Sequence, residues 1–403
     1  MTSMPTGRNS PHSGKTHSSP SSQGAQPPLG EWRGFRLLDF QVRAIQALRA
    51  GANVLVSAPT GAGKTLVAEY AIADAVARGR RCVYTAPVKA LSNQKYRDFR
   101  DDPDVDVGLM TGDVTIAPNA QVLIMTTEIL RNAILEDPSA LADVDFVILD
   151  EVHYMDDIER GSVWEESLIF APPQIRFVSL SATVKNLDQL GAWIGEIRDH
   201  ELAVIHSTRR PVPLKHRIYT PKSGIFDPGR IDFVRKHEAG EAAKPKDANG
   251  SWGRKPRGRS GGRRNERVRR GGSTGELMDL FGTLSQDDKF PALVFSFSRK
   301  DCERLAQAAG SRQLLDEAEC ARMEALQREL IDLFQLNEQA LVGEVFSLAR
   351  RGIGYHHAGM LPLNKEVVER MFTSGLIKLL FTTETFAIGI NMPARSVVFT
   401  SLR

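Results

Sequence analysis

Short β-branched runs alternate with helical stretches along most of this chain, and that alternation leaves few folds open. "NVLVSA" is followed by "TLVAEYAIADAVARG", and later come "RCVYTAP", "VLIMTT", "DFVILD" and "RFVSLSAT". Strand then helix, repeated, predicts a parallel sheet with helices on both faces. The first such block runs from Gly34 to about Ile205. The pattern resumes near Glu276 with "ALVFSFS", a long helical region from Asp301 to Arg350, and two terminal strand-like runs. Two α/β lobes are expected.

Composition narrows the function classes. With 403 residues, 41% hydrophobic and 25% charged, the chain is long enough for two or three domains with real cores. Apolar runs such as "FVILD" fall far short of the roughly 18 residues that suggest a membrane span. The Ser, Pro and Gly rich start, residues 1–33, has no apolar signal-peptide core and is expected to be a disordered tail. Cys82, Cys302 and Cys320 form no CxxC pair, which suggests reduced thiols and a cytoplasmic protein.

Charge is concentrated in one place. The net charge is +3, yet Ser251 to Gly272 alone carries +8, leaving the rest at −5. That Gly and Arg rich stretch cannot bury enough surface to fold alone, so residues 206–275 read as a linker between the lobes with a basic insertion. Such a segment binds nucleic-acid phosphates or serves as a solvated spacer.

The chemistry begins at "APTGAGKT", Ala58 to Thr65, between a strand and a helix. This is the setting of a phosphate-binding loop, whose backbone N–H groups form an anion nest at a helix N-terminus. Pro59, Thr60, Gly61, Ala62 and Gly63 form the cradle. Lys64 reaches the β and γ phosphates of ATP, and the Thr65 hydroxyl holds Mg²⁺. "DEVH", Asp150 to His153, closes the strand "FVIL" and puts acids at a sheet's carboxyl end. Asp150 suits a water-bridged Mg²⁺ ligand, and Glu151 suits the group that orients or deprotonates the attacking water.

Together with "SAT" (Ser181 to Thr183), these stretches resemble motifs I, II and III of superfamily 2 helicases. "TAPVKALSNQK", "GLMTGD" and "TTEILRN" resemble the nucleic-acid motifs of the first lobe, and "LVFSFSRK", "GIGYHHAGMLP" and "TTETFAIGINMPA" those of the second. The match is to the Ski-type DEVH-box RNA helicases, which unwind RNA for the exosome and its bacterial counterparts. It implies an α/β fold of two RecA-like lobes, residues 34–205 and 276–403, the second incomplete at its C-terminus.

The resemblance also implies site residues. Phe35 would stack on the adenine, Gln41 would read its edge, and Gly389 would join the nucleotide site. His153 would couple hydrolysis to Ser181 and Thr183. Pro87, Lys89, Asn93, Gln94, Thr111, Gly112, Thr126, Thr127 and Glu128 would line the first lobe's RNA track. Ser296, Ser298, His357, Gly359, Thr382 and Thr383 would line the second's. Each taken singly reads as an ordinary turn or cap residue; their joint register carries the inference.

The implied function is ATP-dependent translocation on single-stranded RNA, largely independent of its sequence, and unwinding of RNA, with a ribonuclease complex as partner and no membrane. The arginine-rich motif VI that follows motif V in the family lies beyond Arg403, and "RGRSGGRR" is too early in the chain to replace it. Slow hydrolysis by a truncated enzyme is therefore one expectation. A DNA-unwinding relative and a non-catalytic nucleic-acid-binding fragment remain the alternatives.

Overall fold

The protein is described from a computed structural model that covers residues 30–242, 274–337, 343–383 and 393–401. Residues 1–29 of the expected tail, the basic stretch and Gly389 lie outside these residues. Residues 30–33, expected to be tail, instead begin the first lobe, where Glu31–Trp32 pairs with Phe35–Arg36 and Trp32 packs against the core.

The first lobe opens with the short pair β1 (Glu31–Trp32) and β2 (Phe35–Arg36), then helix α1 (Asp39–Arg49). There follow β3 (Asn53–Ser57), α2 (Thr65–Ala77), β4 (Arg81–Ala86), α3 (Lys89–Arg100), β5 (Val107–Met110) and β6 (Thr115–Ile116). The lobe is completed by β7 (Val122–Thr126), α4 (Thr127–Glu136), β8 (Val144–Leu149), α5 (Ser162–Phe170), β9 (Arg176–Ser181), α6 (Leu187–Ile197) and β10 (Leu202–His206). The sheet runs β10-β3-β9-β8-β4-β7-β5-β6, parallel throughout except for β6 against β5.

Burial on both faces explains why its strands read as continuous apolar runs. Val54, Tyr84, Ile124, Ile148 and Leu180 face one core, closed by Ala44, Val67 and Phe99 from α1, α2 and α3. Their neighbours Leu55, Val83, Leu123, Val147 and Phe177 face the other, closed by Leu130, Trp164 and Ile194 from α4, α5 and α6.

The second lobe departs from expectation at its N-terminal margin. Part of the expected linker is folded: β11 (Ile218–Thr220) and β12 (Gly224–Phe226) make a hairpin, followed by α7 (Ile231–Ala242). Tyr219 and Ile225 of the hairpin pack against the second lobe's core, a contact invisible to a composition-based reading. The lobe continues with α8 (Thr274–Gln286), whose Leu277, Leu280 and Phe281 are buried.

After β13 (Ala292–Phe295), the long helical region resolves into α9 (Arg299–Ala309), α10 (Glu317–Phe334) and α11 (Glu344–Ala349). Asp316 caps α10 by accepting from Glu319 N at 2.7 Å, and Gln335 ends it in a left-handed conformation at φ 50°. Then come β14 (Ile353–His356), α12 (Pro362–Thr373), β15 (Leu379–Thr382) and β16 (Ser396–Phe399). The four strands are parallel in the order β14-β15-β13-β16. Between the lobes, Arg97 of α3 donates to Glu366 of α12 at 2.5 Å.

Candidate nucleotide and nucleic-acid site

Because the strands run parallel, the segments that follow them meet along one edge of the first lobe. Strand order then divides that edge. The phosphate loop follows β3, Ala182 and Thr183 follow β9, and Asp150 follows β8, on three adjacent strands. Pro87 follows β4, Thr127 begins α4 after β7, and Thr111 follows β5, on the next three. The nucleotide residues and the nucleic-acid residues therefore occupy neighbouring halves of a single carboxyl edge, where α/β sheets bind ligands.

In the loop, Gly61 and Gly63 take φ of +78° and +87°, the left-handed region that glycine enters without strain. Ala58 N donates to Ser181 O at 3.2 Å, tying the loop to the end of β9. Lys64 is buried, and its amine donates back to Ala58 O at 3.0 Å, an intraloop contact that holds the chain in a cradle. Burial pushes the Lys64 amine below the ordinary lysine value, against the pull of Glu151 and Asp150.

Gln41 joins α1 to the loop. Its Oε1 accepts from Leu38 N at 2.7 Å, and its Nε2 donates to Gly63 O at 2.8 Å. Its amide thus braces the cradle, in addition to any contact with a base. Phe35 is 63% exposed, free to stack on a planar ligand, whereas Phe40 belongs to the core. A Cβ on Gly63 would lie 2.9 Å from Gln41 Nε2. Gly63→Ala is therefore expected to strain the loop by about 1–2 kcal/mol and lower nucleotide affinity about tenfold. Unchanged affinity in a fluorescence titration would contradict this.

Asp150 is buried and held from two sides. Tyr84 OH donates to its Oδ2, and Glu151 N donates to Oδ1 at 2.9 Å. Burial and then the charge of Asp150 push the Tyr84 phenol well above its usual value, so it stays a donor. Glu151 itself sits in the left-handed region at φ 53°, which turns its carboxylate away from the strand's direction. Burial first, and then Asp150, raise Glu151 to about 7, a value suited to taking a proton from water near neutrality.

His153 Nδ1 lies 3.3 Å from Glu151 Oε2, too poorly aligned for a hydrogen bond. Burial, followed by the charge of Lys64, lowers the His153 pKa, so its imidazole is neutral at pH 7. Ser181 Oγ is buried with no partner, and Thr183 is exposed beyond it.

These atoms fit a nucleotide with a divalent cation. Buried Glu151 Oε2 and Ser181 Oγ lack partners, and a Cβ placed on Gly61 would meet nothing within 4 Å, leaving that side of the loop open to a phosphate. Among the described residues no cluster of three or more His, Cys, Asp and Glu could hold a metal alone. One carboxylate and the Thr65 hydroxyl are the donor set expected for Mg²⁺, which keeps waters and borrows phosphate oxygens.

On the other half of the edge, Lys89 is exposed and pairs with Asp113 at 2.5 Å, and Gly112 lies against it. Asn93 and Gln94 are partly exposed on α3. Arg160, absent from the sequence reading, joins two of the motifs: Nε donates to Glu128 Oε1 at 2.9 Å, and a second nitrogen donates to Pro87 O. Nothing in "DDIERG" marks it, because its partners are 32 and 73 residues away.

Several expected contact residues are differently placed. Thr126 and Thr127 are buried, so a ligand at that strand end meets the first turn of α4 rather than their hydroxyls. His357 is also buried: its Nδ1 accepts from Gly359 N at 3.2 Å, which leaves Nε2 to donate to Glu303 at 3.0 Å. It shapes the loop that presents exposed Gly359, rather than reaching solvent. Thr382 is buried with Oγ1 donating to Thr383 O at 3.3 Å, and buried Ser296 takes Thr382 O through its N–H at 2.8 Å. Ser298 caps α9 by accepting from Asp301 N at 3.1 Å. His357, Thr382, Ser296 and Ser298 pack this way because strand ends and loops bring backbone groups that must be satisfied, whereas the Thr127 hydroxyl is buried with no partner.

Comparison with known proteins agrees with this layout. The family described as DEAD/DEAH box helicase matches residues 38–190. The chain is 42% identical over 386 residues to the DExH-box ATP-dependent RNA helicase DExH9 of Arabidopsis thaliana, covering 94% of this chain and 38% of that protein. It is 41% identical over 389 residues to human Superkiller complex protein 2 (93% and 30% covered), and 42% identical over 385 residues to the human Exosome RNA helicase MTR4 (92% and 35% covered). The chain thus spans 30 to 38% of the length of these relatives.

Proposed function

We propose that the protein is an ATP-dependent RNA helicase acting in RNA processing or decay, from the match of residues 38–190 to the DEAD/DEAH box helicase family. The carrying observation is the divided carboxyl edge, on which a phosphate loop and a nucleic-acid surface share one sheet.

In this reading Gly61 to Lys64 cradle the phosphates, Thr65 and Asp150 hold Mg²⁺, and Glu151 accepts the proton of the attacking water. Bound Mg²⁺ would offset the charge that develops on the phosphates. Gln41 keeps the cradle shaped and Phe35 stacks on the base. Lys89, Asn93, Gln94, Gly112, the first turn of α4 and Gly359 meet the sugar–phosphate backbone, with Arg160 holding the Pro87 and Glu128 segments in register. Such contacts bind a strand with little regard to sequence. The second lobe begins in this reading at the β11–β12 hairpin rather than at residue 276.

The relatives' names support RNA as substrate and an exosome-like ribonuclease as partner. The three free cysteines fit the cytoplasm. No described helix is long and apolar enough to cross a membrane.

ATP hydrolysis measured with single-stranded RNA, with DNA and with neither tests the reading. Stimulation by RNA above DNA is expected; equal rates in all three would contradict it. A second test concerns the basic stretch, whose local charge is +8. Deleting residues 251–272 is expected to weaken RNA binding and flatten the slope of log affinity against log salt. Identical slopes would make that stretch a spacer.

A further inference from the structure

The adenosine triphosphate site is tied to the nucleic-acid half of the edge through a residue that neither half uses for ligand contact. Tyr84 lies on β4, the strand of the nucleic-acid half that borders β8 and Asp150, and is fully buried. Its hydroxyl donates to Asp150 Oδ2, while Glu151 N occupies Oδ1. The carboxylate is thereby fixed by one donor on each oxygen. A free carboxylate rotates about its Cα–Cβ and Cβ–Cγ bonds; this one is held in a single orientation by its neighbours.

The ring that carries the hydroxyl is itself placed by α3. Phe99 packs on it at 5.8 Å between centroids, tilted by 59°. Lys95 Nζ lies 6.0 Å from the ring centroid, and Lys95 is buried, with Asp98 at 3.6 Å. Lys95 follows directly on Asn93 and Gln94, which are partly exposed on the same helix and which the proposed function assigns to the nucleic-acid strand. One helix therefore bears on both the strand track and the ring behind Asp150.

We propose that Tyr84 is a positioning residue for Asp150, orienting the carboxylate for the divalent cation of a bound nucleotide, with α3 fixing the phenol. The proposal rests on the reading of Ala58 to Thr65 as an ATP loop. Loss of the Tyr84 hydroxyl leaves the shape of the core intact and removes one donor from Oδ2. Asp150 then samples orientations that do not serve the cation, while Lys64 and the loop still receive the phosphates. Partners that orient a metal ligand contribute about 10- to 100-fold to metal affinity.

The test is a titration of Mg²⁺ into the protein with a fluorescent ATP analogue, for wild type, Tyr84→Phe, Asp150→Asn and the double variant. Tyr84→Phe is expected to raise the Mg²⁺ concentration at half-effect by about tenfold, with affinity in EDTA and melting temperature unchanged. In the Asp150→Asn background the same change is expected to add nothing, since Tyr84 acts through Asp150. An unshifted Mg²⁺ midpoint overturns the proposal. So does a shift that persists in Asp150→Asn, or one accompanied by equal loss of binding in EDTA and a lowered melting temperature, which marks a packing role. A wild-type protein that takes up no analogue at any Mg²⁺ concentration overturns the ATP reading itself, and this proposal with it.

Discussion

Glu151→Gln is expected to retain nucleotide binding and to lower RNA-stimulated ATP turnover by about 10²- to 10⁴-fold, the range lost with a general base. The substitution keeps the side chain's size and one acceptor, and leaves Lys64, Thr65 and Asp150 in place to receive the phosphates. What it removes is the site for a proton. Glu151 is raised to about 7 by burial and by Asp150, so part of it is protonated at neutral pH and the fraction able to accept grows as pH rises. Its left-handed backbone, at φ 53°, is the kind of local strain that persists when the surroundings over-determine a functional side chain. Normal turnover by Glu151→Gln, measured by phosphate release, would remove Glu151 from the mechanism.

Arg198→Met is expected to destabilise the first lobe by about 2 kcal/mol, within the range for leaving buried acceptors without their donor. The Arg198 guanidinium is buried under the sheet's far end and donates to Ala171 O at 2.8 Å, Pro172 O at 2.9 Å and Ile175 O at 3.0 Å. Longer bonds reach Leu168 O at 3.3 Å and Pro173 O at 3.4 Å. Two residues of the loop "APPQI" are proline and lack an N–H, and within the loop Ile175 N reaches Pro172 O at 3.1 Å. Met fills the volume but donates to none of the carbonyls that Arg198 holds. Urea unfolding followed by fluorescence checks the value; a loss below about 0.5 kcal/mol, the scale of an ordinary surface change, would show that the loop finds other donors. Nucleotide affinity of the folded variant should be unchanged, since Arg198 lies away from the carboxyl edge.

The two examples mark what could be read from residues in order and what could not. Asp150, Glu151 and the phosphate loop are contiguous signals: a β-branched run, a Gly-rich turn and a helix carry their own context. The alternation that predicts a parallel sheet is likewise local, and it places those signals on one edge before any coordinate is known. Arg198, Arg160 and Tyr84 act through partners distant in sequence, so nothing beside them announces a role. Tyr84 in "RCVYTAP" reads as one more core aromatic until β4 is seen beside β8.

A family pattern carried over side chain by side chain gives positions but not side-chain directions. Thr126, Thr127, His357 and Thr382 hold their motif positions, yet all four are buried; His357 and Thr382 bond to the protein's own groups, while the Thr127 hydroxyl is buried with no partner. Position at a strand end is legible in the sequence; the direction of the side chain is set by packing. The hairpin at Ile218–Phe226 was missed for a related reason, because its few apolar residues are covered by a core that forms from residues after Thr274.

The central claim is that Ala58 to Thr65 receives the phosphates of ATP at the carboxyl edge of the first lobe. Equilibrium titration of a fluorescent ATP analogue with Mg²⁺ into wild type and Lys64→Ala tests it most directly. Lys64 is the one side-chain cation of that loop, buried and aimed along it. Saturable binding by wild type, weakened at least about tenfold or roughly 1.4 kcal/mol in Lys64→Ala, is the predicted result, and equal affinity in the two proteins would contradict the account.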